Sequence, residues 1–212
     1  MLPWLILLTA LTAAIAALLL TDLLREKHTL PPPLPAGDVP GAVEKILPEE
    51  LPDLRRAFVE QAASLVGKVG YFWGGKSDCI GWDPRWGVPA VVTAPGCDDS
   101  GETMPFGLDC SGYVGWAAAN AVGDSAACGQ IGAGVRAQWA ACTPVAWESV
   151  RPGDLVFFAD LSHVGIAAGW DGSGKLLVLH CSRSLGGVVC SPDGQTAGFV
   201  LAGRPALFSD SV

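Results

Sequence analysis

The stretch Phe106-Gly107-Leu108-Asp109-Cys110-Ser111-Gly112-Tyr113-Val114 decides how the rest of this sequence is interpreted. It places a cysteine between an acid and a hydroxyl, directly before an alanine-containing run, residues 114–119, that favours a helix. A thiol at a helix N-terminus lies near N–H groups and the positive end of the helix dipole, which stabilise a thiolate. The pattern predicts that Cys110 is a nucleophile, with a buried structural cysteine as the alternative.

The charge of the chain argues against nucleic acid as a partner. The 212 residues include 13 Lys and Arg against 21 Asp and Glu, a formal net charge of −8. There is no cationic surplus to displace counterions from phosphates, so affinity for nucleic acid or anionic membrane surfaces is not expected. The length suits one domain of ordinary size with attachments.

The seven cysteines form no Cys-x-x-Cys pair, which argues against a zinc framework and favours disulfides. If Cys110 stays free, the remaining cysteines can close short local loops by neighbour pairing. These pairs are Cys79 with Cys97, Cys128 with Cys142, and Cys181 with Cys190. Six cysteines allow about 15 pairings, so this pairing is a hypothesis. Disulfides persist in oxidising compartments, which predicts a domain outside the cytoplasm.

The N-terminus predicts a membrane segment at residues 1–24. Residues 2–21 carry no charged side chain, which gives the ~20 apolar residues that a transmembrane helix requires. A basic n-region is missing and the only A-x-A-like site, at Ala14, is followed by more apolar sequence, so we expect an uncleaved anchor. A cleaved signal peptide and a secreted protein are the alternative. Arg25 and Lys27 favour a cytoplasmic C-terminus, whereas the cysteines favour a single-pass protein whose domain is extracytoplasmic.

Beyond this segment, the sequence predicts a proline-rich linker at residues 25–50 and one α+β domain at residues 51–212. The prolines favour extended polyproline II, so the linker should act as a semi-rigid spacer. Apolar residues at near-helical spacing from Leu54 to Leu65 predict a helix that ends at Gly67. Short apolar runs separated by turn residues predict antiparallel strands at 155–158, 163–168, 176–180, 188–190 and 199–201.

Residues 76–104 are rich in Gly, Pro, Asp and Trp and predict a long loop, which in a compact domain is usually functional or mobile. Within it, Trp82 and Trp86 either pack the loop or form part of a cleft wall.

Three histidines are present, and His28 lies in the linker. A nucleophilic thiol needs a base that takes its proton and a group that orients the base. His163 and His180 each stand at the edge of a predicted strand, where a side chain can be held rigidly. Each alone would be an ordinary structural histidine, but together with Cys110 they are candidates for these roles. A zinc site from both histidines and a cysteine is a poorer interpretation, because the spacings match no standard ligand set. We predict no metal and no other cofactor.

Several motifs, in this order, resemble the NlpC-type cell-wall cysteine peptidases, a papain-like family. They are Tyr71-Phe72-Trp73-Gly74-Gly75, Gly107-Leu108-Asp109-Cys110-Ser111-Gly112-Tyr113-Val114, Arg151-Pro152-Gly153-Asp154-Leu155-Val156-Phe157-Phe158, His163-Val164-Gly165-Ile166 and His180. The resemblance runs from about Leu54 to Leu207. It implies a papain-like α+β fold in which helices, one with the nucleophile at its N-terminus, pack on an antiparallel sheet.

The resemblance also implies a reaction. Cys110 would be the nucleophile, His163 the general base and acid, and His180 the residue that orients His163. The implied substrate is a peptidoglycan stem peptide, cut at the bond between D-glutamate and the diamino acid through a thioester intermediate.

The resemblance further implies that Tyr71, Asp109 and Ser111 line the subsite for the free amino end of the stem peptide. A carboxylate can pair with an ammonium, and a phenol can add a hydrogen bond. Capping of the helix is a second role for Asp109 and Ser111, and both roles can hold together.

Two other functions stay open. One is an N-acetylmuramoyl-alanine amidase of the related CHAP type, which cuts between sugar and stem. The other is a non-catalytic wall-binding domain on the same fold. The stretch 76–107 is longer than the family pattern, so substrate access and specificity are also left open.

Overall fold

A computed structural model describes residues 32–208. The helices of this part are α1 (Val39–Ile46), α2 (Asp53–Ser64), α3 (Cys110–Val122), α4 (Ala127–Gln130) and α5 (Val135–Ala140). The strands are β1 (Pro89–Val91), β2 (Thr103–Pro105), β3 (Cys142–Val145), β4 (Leu155–Phe157), β5 (Val164–Trp170), β6 (Leu176–Ser182), β7 (Gly187–Ser191) and β8 (Leu201–Pro205). Short 3-10 turns follow at Trp147–Ser149 and Ala206–Phe208.

Strands β3 to β8 form one antiparallel sheet in the order β3-β8-β4-β5-β6-β7, and β1 pairs with β2 separately. Side chains of successive residues point to opposite faces of a strand. Leu155, Ile166 and Leu179 belong to the main core with the helices, whereas Val156, Ala167 and Val178 belong to a smaller cluster. The predicted α+β fold with helices on an antiparallel sheet is confirmed.

Helix α3 lies at the centre of the main core. Residues 110–119 are all buried, because α3 packs against both α2 and the sheet strands β5 and β6. Asp109 caps the helix by accepting a hydrogen bond from the Gly112 N–H at 2.7 Å. The Tyr113 hydroxyl donates to the Ala62 carbonyl at 2.8 Å and ties α3 to α2. The N-terminus of α3, and with it Cys110, therefore has a fixed place in the fold.

The turn at residues 151–154 holds the sheet to α2 through a buried acid. Asp154 pairs with Arg55 of α2 at 2.9 Å and with Arg204 of β8 at 3.1 Å. The Asp154 side chain is fully buried, and a buried carboxylate is stable only when it is paired. The sequence motif that contains Asp154 therefore has a structural role.

The structure differs from the extended spacer predicted at residues 25–50. Within that range residues 39–46 form α1, whose Val39 and Val43 are buried in the main core. The Leu34 N–H also donates to the Cys190 carbonyl at 2.9 Å. Burial of apolar residues one helical turn apart outweighs the preference of the prolines for an extended chain. In the structure, packing against the domain begins before residue 51.

The predicted transmembrane segment at residues 1–24 lies outside the described residues. Within residues 32–208 no helix has the length and apolar character needed to cross a membrane.

The predicted disulfides are not found in the structure. All seven cysteines lie within the described residues and are free thiols. Cys181 lies opposite Val188 in the β6–β7 ladder and Cys190 lies opposite Leu179, so the two cysteines are diagonal neighbours. Cβ atoms in such pairs are about 7 Å apart, beyond the ~4 Å of a disulfide.

In each of the other two predicted disulfide pairs, one of the two sulfur atoms contacts a group other than its predicted partner. The Cys97 sulfur contacts the Asp99 carboxylate and the Cys128 sulfur contacts the Gly115 carbonyl. Proximity along the sequence was not enough to bring the paired thiols together.

The stretch 76–104 consists mostly of turns and irregular chain, as predicted, and it also makes specific contacts with the rest of the domain. It contains the β1–β2 hairpin, and Asn120 of α3 holds it by accepting from the Gly81 N–H at 2.6 Å. Trp86 is buried against Trp116, with ring centroids 5.6 Å apart. Trp82 packs edge-on against Trp86 and stays 56% exposed. Trp86 therefore packs the loop and does not form part of a cleft wall.

Candidate active site

Two glycine-containing motifs meet beside Cys110. A Cβ atom on Gly112 would lie 2.1 Å from the Gly75 carbonyl oxygen, which only a glycine allows. Tyr71, from the same motif as Gly75, forms a parallel bridge with Leu108. The aromatic motif is therefore held against the start of α3.

The Cys110 thiol is buried, with the residue 6% exposed. Burial and, to a lesser extent, the nearby Asp109 carboxylate raise the pKa of the thiol to about 11. The backbone N–H of Val164, the charge of Lys76 and the backbone N–H of Ser111 act in the opposite direction on this pKa. The resting group is a neutral thiol, which needs a base to become a nucleophile.

His163 and His180 lie side by side. His163 directly precedes β5, and its Nε2 atom is 2.9 Å from Nδ1 of His180 in β6. The Nε2 atom of His180 is in turn 2.9 Å from the Ser191 hydroxyl oxygen in β7. Burial lowers the pKa of His163 to about 4. Burial and the neighbouring His163 also lower the pKa of His180, so both rings are neutral near pH 7.

One arrangement of protons prepares His163 to act as a base. The His163 Nε2–H donates to Nδ1 of His180, and the His180 Nε2–H donates to the Ser191 oxygen. Nδ1 of His163 is then unprotonated and is the ring atom available to a thiol proton. The Val164 N–H lies against the Cys110 sulfur, which places the residue after His163 beside the nucleophile.

Phenylalanine rings enclose the two imidazoles. Phe199 packs against His163 and His180 with centroids 5.6 Å and 5.3 Å apart, and Phe158 packs against His163 at 5.0 Å. These rings fix the orientation of both histidines and exclude water, which is the physical cause of their lowered pKa values.

The predicted substrate residues lie in the same region. The Ser111 hydroxyl donates to Asp109 Oδ1 at 2.9 Å, and Asp109 also caps α3. Burial raises the pKa of the Tyr71 phenol, with Cys110 and Asp109 adding to the effect. The structure therefore brings all the candidate residues to one end of α3: Tyr71, Asp109, Cys110, Ser111, His163 and His180.

Comparison with known families gives a match over residues 68–195, more than half of the 212-residue chain, to the model described as the NlpC/P60 family. This chain belongs to the NlpC/P60 family. The family includes peptidoglycan hydrolases as well as non-catalytic members, and the resemblance seen in the sequence motifs is confirmed. No curated protein matches the chain.

Solved NlpC/P60 structures are similar to this chain. The peptidoglycan hydrolase RipB from Mycobacterium tuberculosis shares 26% identity, with 83% of this chain and 73% of that chain covered and a TM-score of 0.49. The P60 domain of an antigen from M. avium subspecies paratuberculosis shares 24%, covering 71% and 93%, with a TM-score of 0.48. RipD from M. tuberculosis, described as a non-catalytic NlpC/p60 domain protein adapted to peptidoglycan binding, shares 20%, covering 73% and 98%, with a TM-score of 0.46.

Two polar residues of this NlpC/P60 site were missed by the sequence reasoning. Ser191 is a plain strand residue in the sequence, and only the β6–β7 register brings it to His180. Lys76 follows the aromatic motif directly, and its ammonium pairs with Asp109 and lies 2.8 Å from the Ser111 hydroxyl oxygen. A lysine adjoining a recognised motif was a signal that could have been used, whereas Ser191 offered none.

The zinc alternative has no geometric support in the part of this NlpC/P60 domain that the structure describes. Among residues 32–208 no group of three His, Cys, Asp or Glu side chains could hold a metal ion. His163 and His180 hydrogen bond to each other.

Proposed function

We propose that this NlpC/P60 domain hydrolyses an amide bond of peptidoglycan stem peptides, with Cys110 as the nucleophile. The observation that carries the proposal is the hydrogen-bonded series His163–His180–Ser191, which adjoins a thiol at the N-terminus of a buried helix. When the Nε2–H of His163 donates to His180 and the Nε2–H of His180 donates to Ser191, the series leaves Nδ1 of His163 free to accept a proton.

The proposed reaction is acyl transfer in two halves. His163 takes the Cys110 proton while the sulfur attacks the amide carbonyl, and backbone N–H groups at the start of α3 stabilise the oxyanion. The His163 imidazolium then protonates the leaving amine, and the C–N bond breaks to give a thioester on Cys110. Water, deprotonated by His163, attacks the thioester and releases the carboxylate product and the free thiol. His180 holds the His163 ring throughout.

The raised pKa of Cys110 agrees with this order of events. A thiol with a pKa of about 11 is mostly protonated near neutral pH, so the proton transfer to His163 accompanies the attack. The resting site then resembles a Ser–His pair more than a preformed thiolate–imidazolium pair.

The finer details of the proposal come from the sequence motifs. We propose the bond between D-glutamate and the diamino acid as the one that is cut. We also propose an extracytoplasmic domain behind an N-terminal anchor. Because the cysteines are free thiols, the location now rests on the apolar residues 2–21 and on the substrate, which lies outside the cytoplasm.

Mass spectrometry of digested muropeptides tests the function. Defined disaccharide-peptides are incubated with the wild type and with Cys110→Ala, and the products are identified by mass. The proposal expects loss of the part beyond D-glutamate with the wild type alone. Release of the whole peptide from the sugar would indicate the CHAP-type amidase instead. Intact substrate, from a protein whose Cys110 reacts with iodoacetamide, would indicate a non-catalytic wall-binding domain.

A further inference from the structure

The carboxylate next to the candidate nucleophile is already paired with a cation of the protein itself. The Lys76 ammonium forms an ion pair with the Asp109 carboxylate and lies 2.8 Å from the Ser111 hydroxyl oxygen. Its side chain remains 48% exposed, so the pair sits at the surface of the site rather than in the core. Lys76 is also one of the groups that lower the pKa of Cys110.

Building on the proposed function, we propose that Lys76 selects stem peptides whose first residue is N-acylated over those with a free amino terminus. The Asp109 carboxylate, with Ser111, can neutralise one ammonium group at a time. A tethered ammonium competes at a high effective concentration, in the millimolar range or above. A peptide with a free amine must displace Lys76 or leave its own charge unpaired, and both cost binding energy.

An N-acylated peptide meets no such competition, because its first nitrogen is a neutral amide. Room for the acyl group exists next to the pair, where Lys76 and Ser111 line a cavity of about 390 Å³. Arg85 and the small residues Gly129, Gly132, Ala133 and Gly134 also line this cavity. In peptidoglycan that is still intact, the acyl group is the lactyl group of the sugar.

Lys76 is held at this place by the backbone. A Cβ on Gly112 would lie 3.0 Å from the Lys76 side chain and 2.1 Å from the Gly75 carbonyl oxygen. The chain immediately before Lys76 therefore runs against the first turn of α3, and the ammonium has little distance to cover before it meets Asp109.

Two peptides that differ only at the amino terminus test the selectivity. They are L-Ala-γ-D-Glu-diamino acid and the same peptide acetylated on its first nitrogen. We expect the wild type to have the higher kcat/KM for the acetylated peptide. Lys76→Met should raise kcat/KM for the free-amine peptide about tenfold, as for a gained charge-assisted hydrogen bond. Lys76→Arg, which keeps the cation, should keep the wild-type preference for the acetylated peptide. Lys68→Met, an exposed lysine elsewhere, should behave as the wild type. A wild type that prefers the free amine, or a ratio unchanged in Lys76→Met, would overturn the proposal.

A second measurement does not need catalysis. L-alaninamide carries the same ammonium as the free peptide. In Lys76→Met it should slow the reaction of iodoacetamide with Cys110, and mass spectrometry of the peptide that contains Cys110 measures this reaction. L-alaninamide should not slow this reaction in the wild type. Equal slowing in both proteins, or none in either, would show that Lys76 does not occupy an ammonium site. If neither stem peptide is cleaved, the proposed function fails and this alaninamide comparison alone decides the role of Lys76.

Discussion

The Nε2 atom of His163 lies 2.9 Å from the Nδ1 atom of His180. When the Nε2–H of His163 donates in this contact, the other nitrogen of His163 is free to take a proton. Replacement of His180 by Ala should therefore lower kcat for stem-peptide hydrolysis by about 10²–10⁴-fold, because the base is no longer oriented. His180→Gln, whose amide can accept the same hydrogen bond, should lose less. Circular dichroism serves as the folding control, and a folded His180→Ala protein with wild-type kcat would contradict the assignment.

Ser191 gives His180 its second partner. The Ser191→Ala change leaves a buried imidazole N–H without an acceptor, which should lower the free energy of unfolding by about 1–3 kcal/mol. We expect a smaller loss of kcat than for His180→Ala, because the contact between the two histidines remains. Urea unfolding measures the first effect and peptide hydrolysis the second. Ser182→Ala is the matched control, since Ser182 is buried in β6 and bonds to Ser184. Equal effects of the two serine changes would argue against a role for Ser191.

The buried histidines should make stability depend on pH. Burial lowers the pKa of His163 from 6.5 to about 4, so the unfolded chain binds more protons than the folded one between these values. The stabilisation is complete above about pH 6.5 and is lost as the pH falls towards 4, by on the order of 3 kcal/mol for His163. Urea unfolding at a series of pH values across this window measures the slope.

The double variant His163→Gln/His180→Gln is the control for that slope. It removes both imidazoles, so its free energy of unfolding should vary less across the same window. Carboxyl groups still contribute to the pH dependence of the free energy of unfolding below pH 4 in both proteins. Identical slopes for the wild type and the double variant would show that the histidines are not the cause.

Much of the fold followed from local patterns, while the site depended on contacts that no local pattern encodes. The predicted helix from Leu54 to Leu65 is α2, and the predicted strands at 155–158, 163–168 and 176–180 are β4 to β6 within a residue or two at each end. Their apolar runs report burial directly. Helix α1 was missed, because prolines and a short length hide an apolar face that is buried only in the folded domain.

The cysteines and the Lys76–Asp109 pair also depend on contacts that no local sequence pattern encodes. Whether Cys181 and Cys190 can bond depends on the register of β6 against β7, which spacing along the sequence does not determine. The ion pair of Lys76 with Asp109 joins residues 33 positions apart. It arises because Gly75 and Gly112 allow two backbones to approach closely, and the sequence showed these glycines only as members of two separate motifs.

Two glycines of α3 should respond in opposite ways to alanine. In most helices this change stabilises, by up to ~1 kcal/mol. At Gly112 the new Cβ would lie 2.1 Å from the Gly75 carbonyl oxygen, so Gly112→Ala should destabilise by about 1–3 kcal/mol and lower activity by shifting the motif that carries Tyr71. At Gly115 the nearest atom would be the Cys128 sulfur at 3.8 Å, an ordinary contact, so Gly115→Ala should be neutral or stabilising. Thermal unfolding of both variants checks the contrast, and equal shifts would contradict the close approach.

The rate of stem-peptide hydrolysis by Cys110→Ala tests the central claim most directly. If the Cys110 sulfur forms the thioester, its removal should lower kcat at least about 10³-fold. Cys142→Ala, at a thiol in the edge strand β3, should keep the wild-type rate. A Cys110→Ala protein that hydrolyses the peptide as fast as Cys142→Ala would show that this thiol is not the nucleophile.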